Sequence, residues 1–417
     1  MLAAISLMFL PLLYWCLSAS TFGLALHLPT QSQRYCYLPI FLTFAILSIK
    51  SSRYLSFFPP LISLWNQGMT LCIAHILSVL YIEQVPAPDP PAAQQKSESS
   101  KLSTKDTWAW RVRTTYRLWG NPQLLRVERD QLQSEGSSQH LSAFMFLRVI
   151  KLPIYYMLHV HILPMIFDET IVDILSSDVG PTQQKFIGRA TEITAREATV
   201  RGYVAVFWIW ESVVFLDGAN SILALICVGF GFDQPEDWPT LFGCPSKATS
   251  LKRFWNSFWH SVAARPYQNY GRVVAGCLLG LDPMTVISKT VVALVVFGLS
   301  GITHAVVIWQ AGLEDWHLEL QWFLLNFLAC FTETFFLAAL RATAKKLGWS
   351  RFLDEIQQSW LGYLFGYTWV FGFFFWSVPK WRYPRLEQQA IALEKYWAFI
   401  ARFETMGSQD SNRFSAV

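Results

Sequence analysis

Charge is what this chain lacks most. Only 15% of its 417 residues are Asp, Glu, Lys or Arg, while 53% are hydrophobic. Average soluble domains carry about 25% charged residues, so an ordinary water-soluble globule is excluded. The chain also lacks the ten-residue alternation of lipid-facing barrel strands. Helices are then the remaining way to satisfy backbone groups in hydrocarbon. The seven cysteines contain no Cys-x-x-Cys and lie mostly in apolar runs. They read as small buried hydrophobes, and neither a disulfide frame nor a metal site is expected. No Asn-x-Ser/Thr sequon occurs, so N-glycosylation is not expected. No internal repeat is visible, which argues against a transporter built from duplicated halves. No nucleic-acid partner is expected.

What the chain has is apolar runs. Residues 2–28, 58–82, 141–167, 203–230, 286–309, 319–340 and 360–378 each approach the ~20 residues needed to span hydrocarbon. The stretches 35–49 and 273–281 are shorter. These windows predict an all-α, polytopic membrane bundle of about eight spans. The N-terminal run has no basic n-region and exceeds an h-region in length, so it reads as a retained span. The expected division is N-terminal transmembrane helices over 1–82, a linker and interfacial helix over 83–140, a core over 141–380 and a tail over 381–417. Residues 83–107 are rich in Pro, Gln and Ser and too poor in apolar residues to offset the entropy of ordering. The basic excess of the 83–140 and 246–272 loops places both on the cytosolic side.

Several polar residues read as structural. Trp108, Trp110, Tyr116 and Trp119 alternate with Arg111, Arg113 and Arg117, a pattern that suits the headgroup region. Asn66, Gln67 and His75 are expected to face other helices. His159 and His161 lie two apart and point to different helix faces, so they are not a metal pair. Glu211 and Asp217 are expected to pair with Arg148, Lys151 or Lys289.

Two stretches carry candidate chemistry. Residues 246–265 read as a partly buried amphipathic helix, with Ser250 capping its start. Its Lys252, Arg253 and Arg265, with neighbouring aromatics such as Trp255, suit a phosphorylated carrier such as coenzyme A. Attraction to anionic headgroups explains the same charges, and charge alone does not choose. His304 follows Ser300-Gly301-Ile302-Thr303 inside an apolar run. A neutral imidazole accepts a proton from an alcohol in general-base catalysis. A core histidine bonded to a backbone carbonyl is the equal alternative.

Phe254-Trp-Asn-Ser-Phe-Trp-His260, with Pro239, Phe242-Gly243 and Ser250-Leu251 before it, and Ser300-Gly-Ile-Thr-His304 after it, resemble one family. They are similar to the wax-synthase branch of the membrane-bound O-acyltransferases, nearest in style to fungal members of terpenoid and meroterpenoid pathways. Thr114–Trp119 resembles a third, weaker block. The resemblance implies an acyl-CoA donor and a lipophilic alcohol acceptor meeting in a tunnel. It places the catalytic histidine on His304 and a second polar residue on His260. Asn256 stands where wax synthases often have Gly, and its amide is a candidate ligand for the acyl carbonyl. The resemblance further implies acetyl-CoA as co-substrate with no permanently bound cofactor, and a multi-pass protein of the endoplasmic reticulum. A long-chain donor making wax or sterol esters is the alternative acyl chemistry. A transporter or scaffold is the alternative from another class. Neither Gly-x-Ser-x-Gly nor His-x-x-x-Asp occurs, which favours a histidine base over the routes those motifs serve.

Overall fold

The computed structural model describes residues 7–55, 59–86, 104–124, 141–170 and 174–414. Most of the linker expected over 83–107 lies outside the described residues. In chain order the helices are α1 (Leu10–Leu26), α2 (Gln31–Ser51), α3 (Pro59–Leu77), α4 (Thr104–Trp119), α5 (Leu141–Tyr156), α6 (Leu163–Thr170), α7 (Ala195–Gly229), α8 (Leu251–Arg253), α9 (Ala264–Val273), α10 (Val286–Gln310), α11 (His317–Lys346), α12 (Ser350–Gln358) and α13 (Trp360–Phe414). Wider π turns interrupt or extend four of them, at Ser78–Ile82, Met157–Ile162, Phe254–Phe258 and Val274–Leu278. Among the described residues there is no strand.

The fold is the expected all-α polytopic bundle. Six helical segments are long and apolar enough to cross a membrane: Gln31–Leu55, Leu141–Ile166, Ala195–Gly229, Val286–Gln310, Glu314–Lys346 and Trp360–Ile400. Only 11–33% of the residues in their most apolar windows are buried by the protein itself. Apolar surface left open on this scale suits hydrocarbon and not water. The short 35–49 run thus sits in a helix long enough to cross, whereas the described part of the 2–28 run contains the 17-residue α1. Residues 381–414, expected as a tail, continue α13 as helix.

The chain divides into two compact units. One holds Met1–Gly136 and Ser261–Phe336, the other Ser137–His260 and Leu337–Val417. In the first, Phe22, Leu26, Phe41, Ala45, Ile76 and Val79 pack around Trp119 at the end of α4. The Trp119 indole lies 5.8–6.2 Å from the rings of Trp15, Phe22 and Phe41. One end of α4 is therefore core, while Trp108 at its other end is exposed. Arg34 donates to the carbonyls of Leu26, Leu28 and Val85 at 3.2–3.3 Å, satisfying groups that the end of α1 leaves open. His75 Nε2 lies 2.7 Å from the Leu118 carbonyl, as a core histidine should. Asn66 is fully buried, and its amide meets no partner among the described residues.

In the second unit, α5 and α7 are joined by buried charge. Asp217 accepts from Lys151 at 2.9 Å and from the Tyr155 hydroxyl at 2.8 Å, with Arg148 at 3.8 Å. Arg148 also donates to Ser221 Oγ and to the Trp238 carbonyl. The Asp217 pairing is as the sequence suggested. Glu211 differs: its partner is Arg382 of α13. The reason is topological, since α7 packs along α13 and brings a cation 171 positions away beside Glu211.

Candidate active site

The segment 246–265 is not one helix. Ser250 does cap its start, accepting from the Arg253 amide at 3.1 Å. After one turn the winding widens, and Trp259 N donates to Phe254 O, five residues back. The Phe258 carbonyl is then taken by the amide of Gly243 at 2.8 Å. A Cβ at Gly243 would sit 2.0 Å from the Ser257 carbonyl oxygen, so only glycine admits this backbone approach. Pro266 follows in the first turn of α9 and has no N–H to continue a helix from residue 262.

This geometry sorts the side chains. Leu251, Phe254 and Phe258 are buried, on one face by helical spacing. Phe254 lies 4.8 Å from the Phe374 ring and 5.5 Å from Trp259, and Trp208 of α7 lies 4.9 Å from Trp259. The aromatics of the block are therefore largely core. Lys252, Arg253 and Asn256 point outward, and Trp255 is half-buried. Arg253 donates to Thr249 Oγ1 at 3.0 Å. His260 is half-buried, with its ring 5.5 Å from those of Phe242 and Trp259.

The remaining candidates lie in the other unit. Arg265 is committed to Glu83, 2.6 Å away, and donates also to the Gln123 carbonyl. Glu83 in turn accepts from Ser78 Oγ at 2.9 Å and Asn269 Nδ2 at 2.5 Å, and Arg272 donates to Asn269 Oδ1. Arg265 therefore belongs to a polar network tying α9 to the end of α3. Lys252, Arg253, Trp255, Asn256 and His260 share one segment of the second unit, and Arg265 and His304 share the first.

His304 sits past the middle of α10, half-buried, with its ring stacked on Phe323 of α11 at 5.0 Å and 27°. The stack exists because α10 and α11 cross very closely one turn earlier. A Cβ on Gly301 would lie 2.9 Å from the Leu320 Cα and 3.1 Å from the Phe323 Cβ. Small residues permit such crossings in membrane helices. Next to His304, the Thr303 hydroxyl hydrogen-bonds the Tyr267 hydroxyl of α9. Burial pushes the Tyr267 phenol up from its ordinary value, against the opposing effect of the Thr303 hydrogen bond. On α11, Glu319 and Asn326 share a face with Phe323 by helical spacing and are buried. An imidazole on a close-packed helix crossing, beside a buried polar face, has the fixed position that a general base requires. Sequence reading missed Phe323, Tyr267 and Glu319. A polar residue recurring every seven positions, at Glu319, Asn326 and Glu333 of an apolar helix, was the signal available.

Comparison with known proteins falls on this same part of the chain. Residues 238–325 match the Membrane bound O-acyl transferase family. Acetyltransferase nanB of Aspergillus nanangensis is 26% identical over 55% of this chain and 52% of its own length. Acetyltransferase ple2 of Rhodocybe pseudopiperita is 28% identical over 39% of this chain and 40% of its own length. Acetyltransferase eriL of Hericium erinaceus is 27% identical over 43% of this chain and 44% of its own length. The chain thus matches about half the length of these curated relatives, or less. No solved structure matches. The resemblance to the membrane-bound O-acyltransferases, in their fungal acetyltransferase style, is borne out. The protein is an integral membrane protein, and its similarity to that family lies over residues 238–325.

Proposed function

We propose that the protein is an O-acyltransferase that moves an acyl group from acyl-CoA to the hydroxyl of a lipophilic acceptor. The observation that carries this reading is the extent of the family match. Residues 238–325 include both the 250–260 block and His304. The names of the fungal relatives support acetyl as the group and acetyl-CoA as the donor. A terpenoid or meroterpenoid alcohol is the acceptor class, and the endoplasmic reticulum is the membrane.

In the proposed reaction, the acceptor oxygen attacks the thioester carbonyl as His304 takes the hydroxyl proton. The tetrahedral intermediate collapses with cleavage of the C–S bond. The leaving thiolate recovers the proton from the imidazolium, giving ester and free coenzyme A. No acyl-enzyme is needed. His260 orients the acceptor or binds the acyl carbonyl oxygen, and Asn256 is a further ligand for that oxygen. Lys252 and Arg253 hold donor phosphates, with Trp255 beside them for the adenine. The structure gives Arg265 less to offer a donor, because Glu83 already meets its charge.

The test is thiol release by protein purified in detergent. Acetyl-CoA and palmitoyl-CoA are each supplied with a hydroxylated sesquiterpene, a sterol or hexadecanol. Alcohol-dependent release from acetyl-CoA is expected. Release only from palmitoyl-CoA moves the reading to wax or sterol esters. No release with any pair, from monodisperse protein, defeats it.

A further inference from the structure

The second unit carries a cleft that the proposed reaction does not use. Its volume is about 780 Å³, and its walls include Lys185, Phe186, Ile187, Arg189, Trp376 and Lys380. One wall is the loop before α7 and the other is α13. Among the described residues, no carboxylate lines it.

The loop wall is built, not loose. Arg201 of α7 is fully buried and forms an ion pair with Glu197. It donates to the backbone carbonyls of Gln183 and Lys185, and its guanidinium lies 5.2 Å from the centre of the Phe186 ring. Phe186 meets Phe375 edge-on at 5.5 Å, which fixes the loop one residue from Trp376. The charges then divide. Arg189 is spoken for by Glu197 at 3.2 Å and Glu192 at 3.5 Å. Lys185 and Lys380 are exposed, and neither has a carboxylate within ion-pair distance among the described residues. The Lys380 ammonium sits 3.7 Å over the Trp376 ring, which holds the chain against the indole at the cleft wall.

The depth of the cleft is set by sequence. Residues 360–379 of α13 are almost wholly apolar, and Lys380-Trp381-Arg382-Tyr383 ends that run. Indole and ammonium together at the end of a crossing segment mark the level of the headgroups. Exposed Ile187, on the opposite wall, gives the same level an apolar contact.

From this geometry we propose that the cleft binds the phosphate of an anionic phospholipid headgroup, held between Lys185 and Lys380, with Ile187 and Trp376 against the adjoining glycerol and acyl carbons. The phosphate meets two unneutralised donors on walls that need no rearrangement, and charge-assisted bonds to phosphate are the strong kind. The site is independent of the reaction assigned above, since none of its residues belongs to the 250–260 block or to α10.

The test is native mass spectrometry of the full chain, released from micelles doped with equal amounts of phosphatidylinositol and phosphatidylcholine. Phosphatidylinositol should be retained preferentially. Lys185→Gln and Lys380→Gln should each lower that preference roughly fivefold, the factor typical of one basic residue at an anionic surface. The double variant should abolish it, Lys→Arg at both positions should restore it, and Lys345→Gln, at an exposed site on α11, should leave it unchanged. Equal retention of both lipids by the wild type would overturn the proposal, as would an unaltered preference in the double variant. Displacement of the lipid by millimolar inorganic phosphate would assign the site to a free anion. Displacement by coenzyme A but not by phosphate would assign it to the donor. Either result would overturn a headgroup site.

Discussion

The close crossing of α10 and α11 makes a sharp prediction, because α10 carries its own control. Gly301 and Gly298 lie one turn apart on the same helix. A methyl group added at Gly301 meets the Leu320 Cα at 2.9 Å and the Phe323 Cβ at 3.1 Å, whereas one added at Gly298 meets nothing within 4 Å. Carbon atoms pack best at about 3.5–4.0 Å. Gly301→Ala must therefore part the helices by roughly 0.5–1 Å, and both obstacles are close to rigid backbone. Overpacking of this kind costs about 1–3 kcal/mol. Gly298→Ala gains helix stability of about 0.5–1 kcal/mol at no steric cost. That helix term is common to both variants, so their difference isolates the crossing. With about 2–4 °C per kcal/mol in a domain of 150–250 residues, Gly298→Ala should melt roughly 2–12 °C above Gly301→Ala.

The measurement is thermal unfolding of both variants in the same detergent, by tryptophan emission and by gel filtration after heating. Activity adds a second reading. His304 stacks on Phe323 one turn beyond the crossing, so parting the helices moves the imidazole relative to its support. A misplacement of about 1 Å can cost roughly 100-fold in rate. Gly301→Ala should lose turnover at temperatures where it is still folded, and Gly298→Ala should not. Equal melting temperatures for the two would refute the close crossing. The full stability difference with turnover intact would show that His304 does not depend on the crossing.

Other predictions follow from the same geometry. His304→Ala should lower kcat about 10²–10⁴-fold with donor KM near wild type, and His304→Gln should be nearly as inactive; an active Gln variant would make His304 a packing or hydrogen-bonding residue. Lys252→Ala and Arg253→Ala should each raise the donor KM roughly tenfold, and unchanged values would return both residues to a headgroup role. Arg265→Ala should instead lower the melting temperature, because it leaves Glu83 and its Ser78 and Asn269 contacts without their cation; a donor KM effect with unchanged stability would contradict this. The Asp178 carboxyl is held below its ordinary value, first by its hydrogen bonds from Arg196 and then by the Leu175 amide, against some desolvation. Its stabilisation is present above the unfolded carboxylate value of about 3.9 and is lost as pH falls through the lower folded value. Melting temperature against pH should therefore fall less steeply below about pH 4 in Asp178→Asn than in wild type, and parallel curves would remove Asp178 from the acid response.

How much of this was legible in the sequence depends on range. The crossing helices were readable because hydrocarbon tolerates so few alternatives that composition over ~20 residues decides. The cap by Ser250 and the pairing of Asp217 with Lys151 were readable too, the first because it is local. The break within 246–265 was not. It depends on a backbone bond from Gly243 and on a π turn that places the Phe254 and Trp259 rings against α13 and α7. Glu83 looked like the start of a linker, yet it anchors Arg265. Such a pairing joins residues 182 positions apart, and no periodicity records it. The two histidines stood out from their local blocks, but the Phe323 ring that supports His304 did not, because one Phe in an apolar helix has nothing to distinguish it.

The distribution of cations carries a further consequence. Arg148, Arg189, Arg201, Arg265 and Arg382 all face carboxylates inside their own unit, while Lys185, Lys252 and Lys380 are exposed. The division follows from the side chains. A guanidinium has five donors in a planar fork and is weakly hydrated, so it can enter a low-dielectric site and satisfy several acceptors at once, as Arg201 does. An ammonium is compact and strongly hydrated, and it stays where water or headgroups reach it. Lys151 is the exception that shows the condition: it pairs with Asp217, but it remains half-buried while Arg148 takes the buried side of the same carboxylate. Alanine variants of the paired arginines should therefore register first as lost folding, since they leave a carboxylate without its cation. Variants of the exposed lysines should register as lost binding in protein of unchanged stability. For a chain whose proposed donor and proposed lipid are both phosphates, that separation lets charge removal be read as chemistry only at the lysines and at Arg253.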